Sequence, residues 1–348
     1  MLTMLCLMAV ISLRDPTSEE PTSTSRKLLE YLSFTPHEQE ALMRGEITSH
    51  AVNELSDKEL AITMAVLVPA PLENLLDFIR SGRALETDRD LLAHGELHFT
   101  PSGDVDPTGF SDVGFAPSEE SEIRALLEVK PGSWFNLSES ESKNLASLRL
   151  TFDPKGCEKN PRCAEAVAST LRNMLRERLA AYRERGLSGI EPYTRGGGQQ
   201  ADPAEELRKA TNAARFLAHE YPQIFDAFLN YPRGNQSGME SRFFWLKLKA
   251  QDRPTFILSH RVLCLRGGVA FAAERQFYVG HSYNSLQILA GLIPIEGRTL
   301  LVYLNRTSTD QVAGFMSGTR HGMGRKMMEK GVREQFEDVL AQVDHQKN

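Results

Sequence analysis

The densest group of side chains able to do chemistry lies between positions 274 and 284, in the run ERQFYVGHSYN. It offers a carboxylate (Glu274), two amides (Gln276, Asn284), two phenols (Tyr278, Tyr283) and an imidazole (His281). Strand side chains alternate, which predicts Glu274, Gln276 and Tyr278 on one face and Arg275, Phe277, Val279 and His281 on the other. Lining a cavity, such groups would orient a ligand head group or act as acid and base. At a strand end or on a wet face they would only satisfy hydrogen bonds. A second polar group, Tyr303, Asn305, Arg306 and Asp310, falls where the last strand-like run meets the final helix. Arg306 could meet an anionic head group at a pocket mouth or form a surface ion pair, and Asp310 could cap the turn into the helix.

Other spacings point to less. His94-Gly-Glu96-Leu-His98 would present N, O and N ligands on one strand face, but it is not the helical H-E-x-x-H of a metalloprotease. A solvated strand explains it more simply, and no metal or other cofactor is expected. His260 sits in a row with Phe256, Leu258, Val262 and Cys264, which predicts a core histidine. RGGGQQ (195–200) lacks the Lys-Ser/Thr and the preceding strand of a phosphate loop, and reads as a flexible break. No G-x-S-x-G elbow occurs. Cys157 and Cys163 bracket a short polar loop whose fold-back would bring them within disulfide range; two free thiols are the alternative. Cys264 reads as a small core residue.

The elements that must carry these residues follow from periodicity. A short helix in 26–45 begins at a capping box, Thr35 with Glu38, with Pro36 at its first position. Two strands, 46–55 and 58–68, turn near Ser56-Asp57, and an amphipathic helix over 71–82 ends at Gly82. The segment 83–135 reads as loops and short elements. The strongest helix covers 162–186 and stops at Gly186; helical patterns recur over 203–219 and 221–230. From 254 four strand-like runs follow one another, the first two joined at Gly267-Gly268. A long helix over 312–345 closes the chain, with Met323, Met327, Phe336, Leu340 and Val343 in its apolar stripe and Gly314, Gly318, Gly322 and Gly324 near its start. The fold class is therefore α+β: an antiparallel curved sheet gripping a long C-terminal helix, with a large, mostly helical insertion over 83–253. Residues 26–345 would form one domain. The glycines would let the last helix act as a movable cover over a ligand space beneath it.

The chain has 348 residues, 41% hydrophobic and 25% charged, with a net charge of −6. That is the balance of a globular protein. It lacks the cationic excess of a nonspecific nucleic-acid binder, so no nucleic acid is expected as partner. No apolar run reaches the roughly 18–20 residues of a transmembrane span. Met1–Leu13 has the length of a signal-peptide core, although a basic start and a clear cleavage site are missing. Residues 1–25 are expected to be an export signal and linker, which places the protein in the periplasm or outside the cell.

Several stretches together resemble a family of uncharacterised bacterial proteins. They are FTPHEQEALMRGEI (34–47), VLVPAPLENLLDFI (66–79), KPGSWFNLS (130–138), EYPQIFDAFLNYPRG (220–234), FFWLKLKAQDRPTFILSH (243–260), RQFYVGHSYNSLQILAGL (275–292) and LLVYLNRTSTDQVAGF (300–315). The family is similar in element order to START-like, helix-grip domains. The resemblance implies no particular reaction. The START-like layout suggests a binder or carrier of a hydrophobic, lipid-like small molecule, and the two polar clusters supply Glu274, Gln276, Tyr278, His281, Tyr283, Asn284, Tyr303 and Arg306 as candidate ligand contacts. An enzyme using Glu274, Tyr278 or His281 in acid–base roles, and a structural or protein-binding module of the envelope, are the alternatives.

Overall fold

The computed structural model describes residues 20–344 apart from 131, 133, 134, 235–237, 315 and 316. The export-signal reading of Met1–Leu13 therefore lies outside the described residues. Helices α1 (Glu20–Tyr31) and α2 (Pro36–Met43) come first, and the Thr35/Glu38 capping box forms as predicted: Thr35 N donates to Glu38 Oε2 at 2.6 Å. Strands β1 (Thr48–Ala51) and β2 (Glu59–Val68) follow, then α3 (Leu72–Arg80), α4 (Arg83–Glu86) and β3 (Leu91–Leu97). Next come α5 (Glu120–Leu127), α6 (Glu139–Ser147) and the 25-residue α7 (Pro161–Arg185). The side chain of Asn160 caps α7. A hairpin, β4 (Tyr193–Gly196) and β5 (Gln199–Ala201), replaces the flexible break expected at RGGGQQ. Helices α8 (Pro203–Asn212), α9 (Arg215–Glu220) and α10 (Pro222–Leu229) lead into β6 (Met239–Ala250), β7 (Arg253–Arg266), β8 (Val269–Val279), β9 (Ser285–Ile295) and β10 (Arg298–Ser308). Helix α11 (Ser317–Asp344) ends the described chain.

One eight-stranded antiparallel sheet, ordered β1-β2-β10-β9-β8-β7-β6-β3, organises everything else. The segment 83–253 is not wholly helical, because it contributes β3 and β6 to this sheet. Strand β6 hides in the sequence because both of its faces are covered: Phe243, Phe244, Trp245 and Leu246 are consecutive and all buried. One sheet face packs on α11 and α3 through Ile62, Met64, Val66, Leu292, Val332 and Phe336. The other carries α1 and α2 at one end and α7 at the other, through Leu28, Leu42, Val302 and then Leu179, Tyr182 and Phe277.

The stripe of α11 departs from expectation at two positions. Met323 and Met327 are 63% and 71% exposed. The buried line instead runs through His321, Val332, Phe336 and Val343, with Met328, Val339 and Leu340 half-buried beside it. Gly324 lies on that line, where a β-carbon would come within 2.8 Å of Leu60. The start of the helix is pinned rather than loose, since His321 contacts Glu54 at 2.7 Å and the Asp57 carbonyl at 2.9 Å.

Cys157 and Cys163 form a disulfide, with Cα atoms 5.3 Å apart, at the start of α7. The other end of α7 depends on Gly186, at φ +60°. A β-carbon there would lie 1.8 Å from the Tyr231 carbonyl oxygen, a backbone atom that cannot step aside. Gly186→Ala should therefore destabilise the protein by at least about 2 kcal/mol in urea unfolding. Gly114→Ala, at a site with nothing within 4 Å, should be neutral or slightly stabilising. Equal midpoints for the two variants would contradict this packing.

Candidate functional site

The eight residues singled out by sequence fall in separate places. Glu274, Gln276 and Tyr283 do meet, on the α11 side of the sheet. Glu274 accepts from Ser259 Oγ (3.0 Å) and Gln276 Nε2 (3.1 Å), and pairs with Arg261 at 2.5 Å. Tyr283 donates its hydroxyl hydrogen to Gln276 Oε1 at 2.6 Å. Tyr303 lies on the same side, accepting from Asn305 Nδ2 and meeting Phe336 edge-on. Burial pushes the phenols of Tyr283 and Tyr303 far up, so both stay protonated. Arg261 pairs with Glu274, and burial raises the carboxyl of Asp88 nearby.

Tyr278 is not with them. The β7–β8 ladder slips between Leu258 and Ser259: Ser259 opposes Gln276, and Leu258 opposes Tyr278. Phe277 is the extra residue, so strict alternation fails there and Tyr278 turns to the opposite face. It packs beneath Arg178, whose guanidinium carbon lies 4.6 Å from the ring centre. Arg178 itself makes two 2.6 Å bonds to Glu141. His281 sits beyond the strand end. Its Nε2 donates to the Pro254 carbonyl (3.0 Å), its Nδ1 accepts from Ser282 Oγ (2.6 Å), and burial lowers its pKa. The acid–base set Glu274, Tyr278 and His281 is thus not assembled.

Asn284 belongs to a third group at the strand ends. It donates to Glu206 Oε1 (2.9 Å) and accepts from Arg195 Nη2 (2.8 Å). Arg195 also donates to Asn136 and Asp310, each at 2.7 Å. Asp310 therefore pairs with Arg195 and Lys58, and the capping role expected of it passes to Thr309. Burial alone would raise Asp310, yet the bonds from Lys58 and Arg195 outweigh it and hold the carboxyl below its usual value. Arg306 is buried, not at a mouth, and its anion is Glu59 at 2.8 Å. Glu96 of the metal-like triplet is clamped by Arg242. No group of three His, Cys, Asp or Glu able to hold a metal occurs among the described residues.

An apolar space lies on the sheet face opposite α11, where the sequence had placed none. A cavity of about 100 Å³ sits between the sheet and α1, α9 and α10. Its floor is two cross-strand rows set by the register of β7 to β10: Val262, Ala273, Leu289 and Leu304, then Cys264, Phe271, Gly291 and Val302. Ala273 and Gly291 make the floor low. Leu28, Phe216, Ile224 and Phe228 form the walls, and Tyr31, 46% exposed, stands at the rim. Burial raises the pKa of the Cys264 thiol, keeping it in its apolar, protonated form.

The next row along the same strands is polar: His260, Arg275, Gln287 and Arg306. Arg275 donates to Tyr182 Oη (3.0 Å), Thr211 Oγ1 (3.1 Å) and the Phe228 carbonyl (3.2 Å). The hydroxyl of Tyr182 donates in turn to His260 Nδ1 (3.0 Å), so the imidazole proton is on Nε2, directed at Ser241 Oγ (2.7 Å). Phe243 stacks on the same imidazole. Sequence reasoning treated Arg275 only as the far face of Glu274. The available signal was a single cation at the head of a small apolar strand, VAFAAER (269–275).

The chain matches no family model, no curated protein and no solved structure.

His260 has its pKa driven well below the usual value, first by burial and then by Arg275, and His281 is lowered as well. Each therefore takes up its proton at a lower pH in the folded state than in the unfolded chain, which is protonated below about pH 6.5. Stability is therefore full above that pH and falls below it, by up to about 1.4 kcal/mol per pH unit for each histidine. Urea midpoints between pH 7.5 and 5.5 check this, and a flat profile would refute it.

Proposed function

We propose that the protein binds and carries a hydrophobic, lipid-like small molecule in the bacterial cell envelope. The observation that carries this reading is the apolar cavity over the β7–β10 rows. Its volume of about 100 Å³ is below the ~150 Å³ that takes up benzene, so it seats part of an alkyl chain while the rest leaves past Tyr31. Burial of each methylene contributes about 0.8 kcal/mol. The packing of a large antiparallel sheet on a long C-terminal helix, the layout of START-like domains, supports the reading. The seat of the ligand moves, however, from beneath α11 to the opposite face. The disulfide at the start of α7 supports an oxidising, extracytoplasmic location. No described helix is long and apolar enough to cross a membrane.

The test uses N-phenyl-1-naphthylamine, a neutral fluorophore, displaced by a series of 1-alkanols. Affinity should rise about threefold to fourfold per methylene until the cavity is filled. Gly291→Leu, whose β-carbon meets only Leu28 at 3.4 Å, would push a side chain into the cavity and should abolish binding without unfolding the protein. Chain-length-independent binding, or binding untouched by this variant, would remove the proposal.

A further inference from the structure

Among the described residues the buried cations are Arg178, Lys247, Arg275 and Arg306. Three have a carboxylate: Arg178 meets Glu141, Lys247 meets Glu119, and Arg306 meets Glu59. Arg275, at 0% exposure, meets none. Its partners are the neutral Tyr182, Thr211 and Phe228, and the Phe228 ring lies 4.1 Å from its guanidinium carbon. His260 beside it is neutral too. The Arg275 Nε has no acceptor, and neither has Nε2 of Gln287, the residue directly opposite on β9. Thr211 takes up only the oxygen end of that amide, at 2.8 Å.

An uncompensated buried charge costs several kcal/mol even after relaxation. Two unused donors beside it, on adjacent strands and the same face, define a place for an acceptor with negative charge. That place adjoins the cavity. Arg275 and Gln287 lie two residues along their strands from Ala273 and Leu289 of the cavity floor, a step of about 7 Å. Phe228 touches both regions, lining the cavity while covering the guanidinium.

We propose that the ligand is an amphiphilic carboxylate, a long-chain fatty acid, with its alkyl chain in the cavity and its carboxylate bound by Arg275 Nε and Gln287 Nε2. This rests on the cavity being the ligand site. A carboxylate supplies two oxygens for two donors and the one charge that Arg275 lacks. Phe228 is the side chain that turns aside to admit the head group.

Dodecanoate and 1-dodecanol share a chain and differ at the head, so competing each against N-phenyl-1-naphthylamine at pH 8 separates the two claims. The wild-type protein should prefer dodecanoate at least tenfold. Arg275→Met should erase the preference while leaving dodecanol affinity in place. Gln287→Met, which keeps the buried cation and serves if the Arg275 variant does not fold, should reduce the preference threefold or more. Equal affinity for both ligands in the wild type, or a preference unchanged in these variants, overturns the carboxylate assignment and leaves the cavity reading standing. Displacement by neither ligand overturns both.

Discussion

The backbone ladder through β7, β8, β9 and β10 is the constraint on which the rest of the molecule depends. Its register places Val262, Ala273, Leu289 and Leu304 side by side, and puts His260, Arg275, Gln287 and Arg306 in the row beyond. A shift of one residue in any strand would send that strand's share of both rows to the α11 face. Small side chains in one row and donors in the next become a cavity and a polar end only because four strands agree. The ladder's one departure, at Phe277, is equally consequential. The extra residue lets Phe277 stack on Tyr182 while Tyr278 packs under Arg178, so a single bulge commits two aromatic rings to α7.

Both faces of the sheet are covered, and this decides how charge is handled. Helices on two sides leave the strands little water, so an ionised group inside needs an opposite charge close by. The pairs Arg178–Glu141 and Arg306–Glu59 supply it across long sequence separations, tying α7 to α6 and β10 to the first residue of β2. Beyond the ends of β8, β9 and β10 the same demand is met by a network around Arg195, which joins the β4–β5 hairpin to Asn136, Asn284 and Asp310. That network explains why the hairpin is ordered despite three consecutive glycines, Gly196–Gly198: its first strand carries the arginine the network needs.

Features set by neighbours in sequence were legible before the structure. The Thr35/Glu38 box, the Gly186 stop of α7, the Gly267-Gly268 turn and the Cys157–Cys163 loop each depend on a handful of adjacent residues. The α+β class was legible as well, because the strands from 254 onward carry no crossover helices. Features set by partners far along the chain were not. Strand β6 lost its alternation because both its faces are buried. Met323 and Met327 were assigned inward because a helical period does not reveal its phase; the close approach of Gly324 to Leu60 fixes it. The candidate residues from Glu274 to Arg306 were rightly read as polar side chains on or beside strands. Their dispersal into separate networks depends on a bulge, on two sheet faces and on ion partners such as Arg261, Glu206 and Glu59, none of which a linear pattern contains.

The borders of the sheet have a consequence of their own. The inner strands β6 to β10 run 11 to 14 residues and are rich in apolar side chains, the kind of ribbon that recruits other chains when left open. The strands that end the sheet are different. β1 has only four residues, and β3 has seven, with a slip between Leu91 and Ala93 and with His94 and Glu96 along it. An incoming strand would find short, irregular and charged backbone to pair with. The long, sticky interior is thus kept from templating its own growth, and the sheet stops at eight strands.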